Sequence, residues 1–273
     1  VPVSALEGWL QRPGPTEAVS LVRLLLGLVV WCEVGERFRL EESLGPEPER
    51  VLLGALVWVG STGMVLGARS AASSLLTGLT LAVCWQWLGL ELEDDHFRRH
   101  HLYALAAACT LLSMTPCGGS LSLDRWLAVR RARAVGAPLP PQEGDLWAVP
   151  LLQLQVAAIY VFAAWDKSWP GFHHRMEHYA SDLYFGADHP GPWFTTVMAV
   201  AGYGSVALEY ALPFGLWWAP TRRVALVVGL SFHAFVYWSM SVASFSVTMA
   251  TLYLLFVDPR SVRRVLDDVT ARG

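Results

Sequence analysis

Lysine is almost missing from this chain. Of its 20 cationic residues, Lys167 alone is a lysine and the rest are arginine. Charge of either sign is also scarce, at 16% of residues against about 25% in a soluble domain. With 54% hydrophobic residues and a mean hydropathy of +0.39, that scarcity excludes an ordinary soluble domain. A net charge of −3 with no basic stripe excludes a nucleic-acid footprint. No CxxC spacing links Cys32, Cys84, Cys109 and Cys117, so neither a zinc knuckle nor a thioredoxin-type site is supported. These four thiols read as small buried hydrophobes.

What is present is apolar sequence in long blocks. Segments of about 20 residues, the length of a membrane helix, run over roughly 19–34, 51–68, 72–90, 101–116, 147–165, 193–218, 223–240 and 242–257. The expected fold is an all-α, polytopic integral membrane bundle of about eight transmembrane helices; seven result if the last two segments merge around Ser239 to Ser241. Residues 1–18 carry Pro, Gly and both charge signs, so the first span is expected to stay as an anchor. With eight spans, one side holds Arg12, Arg69, Arg125, Arg130, Arg131, Arg133, Arg222, Arg223, Arg260, Arg263, Arg264 and Arg272. The other holds Arg37, Arg39, Arg50, Arg98, Arg99, Lys167 and Arg175. The richer side is cytoplasmic by the positive-inside rule, so both termini are expected there. Seven of the eight histidines and most loop acids then fall on the extracytoplasmic face.

Gln153, Tyr160 and Lys167 recur every seven positions and form one polar stripe on a helix. Asp166 projects about 100° away and need not neutralise Lys167. Arginine never loses its proton in a protein, whereas a desolvated lysine does so readily. A lone lysine in an arginine-only chain therefore points to an amine that must deprotonate. The alternative is an interface lysine that snorkels between Trp165 and Trp169. In EDDHFRRHH, residues 93–101, acids and arginines precede His100 and His101, with Tyr103 just beyond; the segment reads as a charged collar or as a catalytic or substrate-gripping site. His174-x-x-Glu177-His178 has the spelling of an inverted zinc-protease motif, but it follows Pro170-Gly171 and is expected in a loop, so no metal site is expected. Within the spans, Arg23, Glu209 and His233 are the notable ionisable groups. Such groups usually face the bundle interior in pairs, and an Arg23–Glu209 pair is expected. His233 reads as a satisfied core histidine with Tyr237 one turn on. The Ser-rich stretch 239–251 reads as close helix packing.

Four stretches, in order, carry a resemblance: LVRLLLGLVV (21–30), RHHLYALAAACTLLSMTPCGGSLSLDRW (99–126), QLQVAAIYVFAAWDKSWPG (153–171) and FHAFVYWSMSVASFSVTMATLYLLF (232–256). They resemble the membrane domain of the vitamin K-dependent γ-glutamyl carboxylases and, equally, the bacterial HTTM (horizontally transferred transmembrane) family. The likeness spans nearly the whole chain and implies a single domain over 1–273. In the carboxylases the lysine matching Lys167 deprotonates reduced vitamin K, which reacts with oxygen to give the base that removes a glutamate γ-proton before carbon dioxide is captured. The resemblance implies His100, with His101 one residue out of register, as the assisting histidine, and an active face on the lumenal side. Asp166 stands where the family has a second lysine. The carboxylases carry a large lumenal domain after the last span; about 16 residues follow it here, and no such domain is expected.

The expectation is therefore a multi-pass cell-membrane enzyme with Lys167 as general base and His100 or His101 assisting. Tyr160, Gln153, Tyr103, Glu209, Arg23 and His233 would line the cavity for substrate or a vitamin K-like reduced quinone. Its partners would be membrane lipid, a secreted peptide substrate and, as for short family members in peptide maturation, an accessory protein; no nucleic acid is expected. Two other classes remain open: a non-catalytic accessory for peptide maturation or export, and a small-solute transporter.

Overall fold

The computed structural model describes residues 13–37, 48–95, 97–169, 171–186, 191–239 and 243–272, with the side chains of 33–37, 100, 173–175 and 269–272 outside that description. In chain order the elements are β1 (Pro13–Pro15), α1 (Glu17–Arg37), α2 (Pro48–Leu66), α3 (Ser70–Val83, running on as a wide π turn over Cys84–Glu91), α4 (His100–Leu112), α5 (Leu123–Ala134), β2 (Glu143–Asp145), α6 (Val149–Lys167), α7 (Phe172–Phe185), α8 (Pro192–Trp217), α9 (Arg222–Ser239), α10 (Ala243–Leu252, tightening to a 3-10 turn over Tyr253–Phe256) and α11 (Pro259–Arg272).

A helix occupies every apolar segment read from the sequence. Among the described residues four are long and apolar enough to cross a membrane: Pro48–Leu66, Ser70–Glu91, Val149–Lys167 and Pro192–Trp217. The apolar helices His101–Leu112 and Ala243–Phe256 are shorter. At 1.5 Å per residue, helices of that length fall short of a hydrocarbon core of about 30 Å.

Two compact units divide the chain. The first comprises Val1–Gln155 and Leu230–Gly273. In it α1, α2, α3 and α4 pack each against the next, and α10 and α11 lie on α1. Small residues make the crossings close. A Cβ on Gly60 would stand 2.5 Å from Thr77 Oγ1, and one on Gly78 would stand 2.3 Å from Thr110 Oγ1 and 2.6 Å from its backbone nitrogen. Two helices in lipid gain little from apolar burial against each other, so close backbone approach and dispersion do that work. The Ser-rich segment behaves as read: Ser244, Ser246, Thr248 and Thr251 are buried on α10, with Thr248 Oγ1 donating to the Ser244 carbonyl at 2.8 Å.

Polar structure gathers at one end of this unit. β1 pairs antiparallel with β2, Gly14 opposite Gly144. Two prolines sit in β1 without harm because a two-strand ribbon does not need every N–H. Arg263 of α11 donates to Glu17 at 2.8 Å and to the Gln142 carbonyl at 3.0 Å, joining α11, α1 and the chain before β2.

The second unit is Val156–Gly229. Here α7 packs on α8 through Phe185 against Phe194, ring centroids 5.3 Å apart, and through Thr195 donating to Glu177 at 2.5 Å. HHRMEH, expected in a loop, is part of the helix α7. Its polar positions interleave with Phe172 and Met176, both half-buried, while Tyr179 and Leu183 further on are exposed.

Candidate functional site

Lys167 ends α6, and Glu209 lies well inside α8. Nζ of Lys167 meets Oε1 of Glu209 at 2.5 Å, with the lysine side chain 29% exposed and the glutamate 5%. The next residue on each helix pairs as well: Ser168 Oγ lies 3.2 Å from Tyr210 Oη. Ser168 already donates to the Ala164 carbonyl at 2.7 Å, so the tyrosine hydroxyl is the donor between them. Two consecutive polar contacts thus fasten the end of α6 to α8.

The pair has valence left over. Glu209 Oε2 is buried and has no hydrogen-bond partner among the described residues. An ammonium carries three N–H bonds, and one of them is committed to Oε1. A buried acceptor without a donor costs on the order of 1–3 kcal/mol, more when charged. Backbone chemistry adds to this. Pro213 stands one turn after Glu209 inside α8 and lacks the N–H that would bond the Glu209 carbonyl. Glu209 therefore marks a weak point in its helix as well as a charge in an apolar one.

The sequence reading placed Glu209 with Arg23, and this is corrected. Arg23 is fully buried in the first unit and spends its guanidinium on three backbone carbonyls: Nε to Cys117 at 3.0 Å, Nη2 to Leu121 at 2.6 Å, and Nη1 to Met64. The actual partner of Glu209 was missed for a reason of depth. Glu209 follows the first residue of α8, Pro192, by 17 positions, about 26 Å along the helix. A lysine at the end of one span is expected to meet the start of the next. Instead it meets the far third of α8, while the first part of α8 packs on α7.

The other candidate residues are placed as follows. Tyr160 is buried in the second unit. In the first unit, Gln153 donates Nε2 to the Leu255 carbonyl at 2.8 Å, and Tyr103 is exposed with its ring against Trp85, centroids 5.1 Å apart. His233 is buried in an aromatic box, edge-on to Phe245 and Tyr253 at 5.7 and 5.9 Å, in keeping with a core histidine; Tyr237 on the next turn is exposed. His101 is half-buried in the first turn of α4, and His100 begins that helix with its side chain outside the described residues. In the collar before them Asp94 pairs with Arg50 at 2.9 Å and Phe97 is buried, so part of it is folded structure. His96, His189, Glu41, Glu42 and Glu47 lie outside the described residues, as do the side chains of His173, His174, Arg175, Glu33 and Glu36.

The Ser-x-Asp turn is a second organised polar centre. Asp124 accepts from the Arg69 N–H at 2.8 Å, the Ser70 N–H at 2.7 Å and the Ser70 hydroxyl at 2.8 Å. Ser122 caps α5, its hydroxyl accepting from the Arg125 N–H at 2.9 Å. Partial burial pushes the Asp124 carboxyl up; the Ser70 N–H and hydroxyl, the Arg69 N–H and the Arg23 charge outweigh it and hold the carboxyl below its usual range. A lowered folded value means stability that is present above the unfolded value, near 3.9, and lost as pH falls through the folded one. Asp124→Asn is expected to unfold a few degrees below the wild type at neutral pH, with the gap closing below about pH 4; thermal unfolding in detergent across pH measures it.

With this geometry in hand, comparison with known families gives one match. The family model described as the HTTM domain covers residues 37–260, well over half of the chain. The chain belongs to the HTTM family. No curated protein and no solved structure matches it. Membership of the HTTM family and the apolar helices together make this an integral, multi-pass membrane protein.

Proposed function

We propose that this HTTM protein is a membrane-embedded, carboxylase-like enzyme in which Lys167 is the general base and Glu209 receives the proton that Lys167 must shed. One observation carries the reading: the only lysine in the chain is bonded to a buried carboxylate whose second oxygen has no hydrogen-bond partner among the described residues. Burial of the Glu209 side chain, 5% exposed, penalises its negative charge, and a proton from Lys167 would remove that penalty. A proton passing from Nζ to Oε1 leaves an amine able to take a proton from a substrate hydroxyl. Arginine at this position never offers that option.

A reduced quinone of the vitamin K type fits the donor–acceptor set, because its hydroxyl is a donor and Glu209 Oε2 is a buried acceptor without one among the described residues. When bound, such a quinol supplies the oxygen chemistry that makes a strong base. Lys167 and Glu209 would orient the hydroxyl and hold its proton, and Tyr160 would exclude water. Under this reading the helices form about eight spans with both termini cytoplasmic, and the site faces the extracytoplasmic side of the cell membrane. The substrate is a secreted peptide, delivered with an accessory protein.

The test is oxygen uptake by the full chain purified in detergent and supplied with reduced phylloquinone, together with mass spectrometry of co-purifying lipids. Quinol-dependent uptake and a bound quinone are the expected results. Neither uptake nor quinone, with a peptide alone bound, would establish a non-catalytic accessory instead.

A further inference from the structure

α5 is a 12-residue helix with four arginines, and among the described residues only one of them is committed to other protein groups through its guanidinium nitrogens. Arg125 donates to the carbonyls of Pro140 and Pro141. The helix's one acid, Asp124, is filled by Arg69 and Ser70. Arg130, Arg131 and Arg133 are exposed, and none has a carboxylate partner among the described residues. Arg130 stacks over Trp126, 5.3 Å from its ring centroid, and the Trp126 ring is 54% exposed.

Asp124 fixes where this cationic helix stands. Arg69 and Ser70 form the turn between α2 and α3, two helices long and apolar enough to cross a membrane, so that turn lies at a bilayer surface. Asp124 is bonded to it through three donors. The three arginines follow within roughly 15 Å along the helix, which is headgroup depth. Arginine and tryptophan side chains exposed at this depth suit the headgroup region, where cationic and aromatic residues concentrate.

We propose that α5 is a binding surface for anionic phospholipid headgroups, with Arg130, Arg131 and Arg133 taking the phosphates and Trp126 seated at the headgroup boundary. Charge complementarity selects the occupant: the surface is cationic without internal neutralisation, and Asp124 fixes it at the plane where lipid phosphates lie. This is independent of any catalytic role.

Native mass spectrometry of the detergent-solubilised full chain, titrated with phosphatidylglycerol or with phosphatidylcholine of the same acyl chains, tests it. The wild type is expected to retain phosphatidylglycerol preferentially. The triple variant R130Q/R131Q/R133Q should bind it on the order of 100-fold more weakly, while removal of exposed Arg223 and Arg260 elsewhere changes little. Equal retention of the two lipids by the wild type overturns the proposal whether or not the variant folds. So does full selectivity in a triple variant with an unchanged unfolding midpoint, or displacement of the lipid by inorganic phosphate at matched ionic strength, which would indicate a simple anion site.

Discussion

Lys167→Arg is expected to lower quinol-dependent oxygen uptake by at least about 100-fold, the usual worth of a positioned general base, without unfolding the chain. The substitution is chosen for what it keeps. Arginine retains the positive charge and can bind the Glu209 carboxylate two-pronged, so the contact between α6 and α8 survives. What it removes is the ability to exist as a neutral amine. A mainly structural ion pair predicts the opposite outcome: arginine serves as well as lysine, and activity is unchanged. Retained uptake would end the base assignment.

Glu209→Gln separates the two halves of the pair. The amide keeps shape and hydrogen bonding but cannot receive a proton as a carboxylate does. If Glu209 is the proton's destination, uptake falls in this variant too. Because Lys167 is the only lysine in the chain, lysine isotope-labelled at Nζ gives a single nitrogen resonance that reports amine or ammonium directly. That readout needs no substrate, and it distinguishes a failed proton transfer from a failed quinol site.

The helices were legible because lipid makes them so: backbone groups with no water must bond within their own segment, and apolar runs therefore become helices. Lys167 was legible as well, since a lone lysine among arginines is a chemical contrast visible without coordinates. Its partner was not. Pairing Glu209 with Arg23 assumed that the two deepest charges find each other, whereas Arg23 finds carbonyls and Glu209 lies at a helix depth that segment boundaries alone do not convey. One signal was present and unused: Glu209-x-x-x-Pro213 marks a helix position with a freed carbonyl. Helix α7 was hidden because its start, HHRMEH, is almost wholly polar and follows Pro170-Gly171, whereas most of its apolar residues come later in the helix.

Arg23→Met is expected to destabilise the first unit by about 3–6 kcal/mol, a loss of roughly 10 °C or more in the unfolding midpoint for a chain of this size. Methionine keeps the length and apolar stem and removes only the donors. Three carbonyls then lose their partner inside the protein: Met64 in the last turn of α2, and Cys117 and Leu121 in the connection from α4 to α5. Leu121 also holds a left-handed backbone angle, φ 46°, rare for a side-chain-bearing residue and dependent on its surroundings to persist. Arg23→Lys, with a point charge in place of a planar fork, should satisfy one carbonyl well and fall between the wild type and Arg23→Met. Fluorescence-detected unfolding in detergent measures all three proteins, and a midpoint for Arg23→Met within about 2 °C of wild type would show that the guanidinium is dispensable. The experiment completes the contrast with Lys167. Where the chain needs a charge that never leaves, to hold three carbonyls in a dry site, it uses arginine; opposite Glu209 inside α8, the carboxylate proposed to take a proton, it uses lysine.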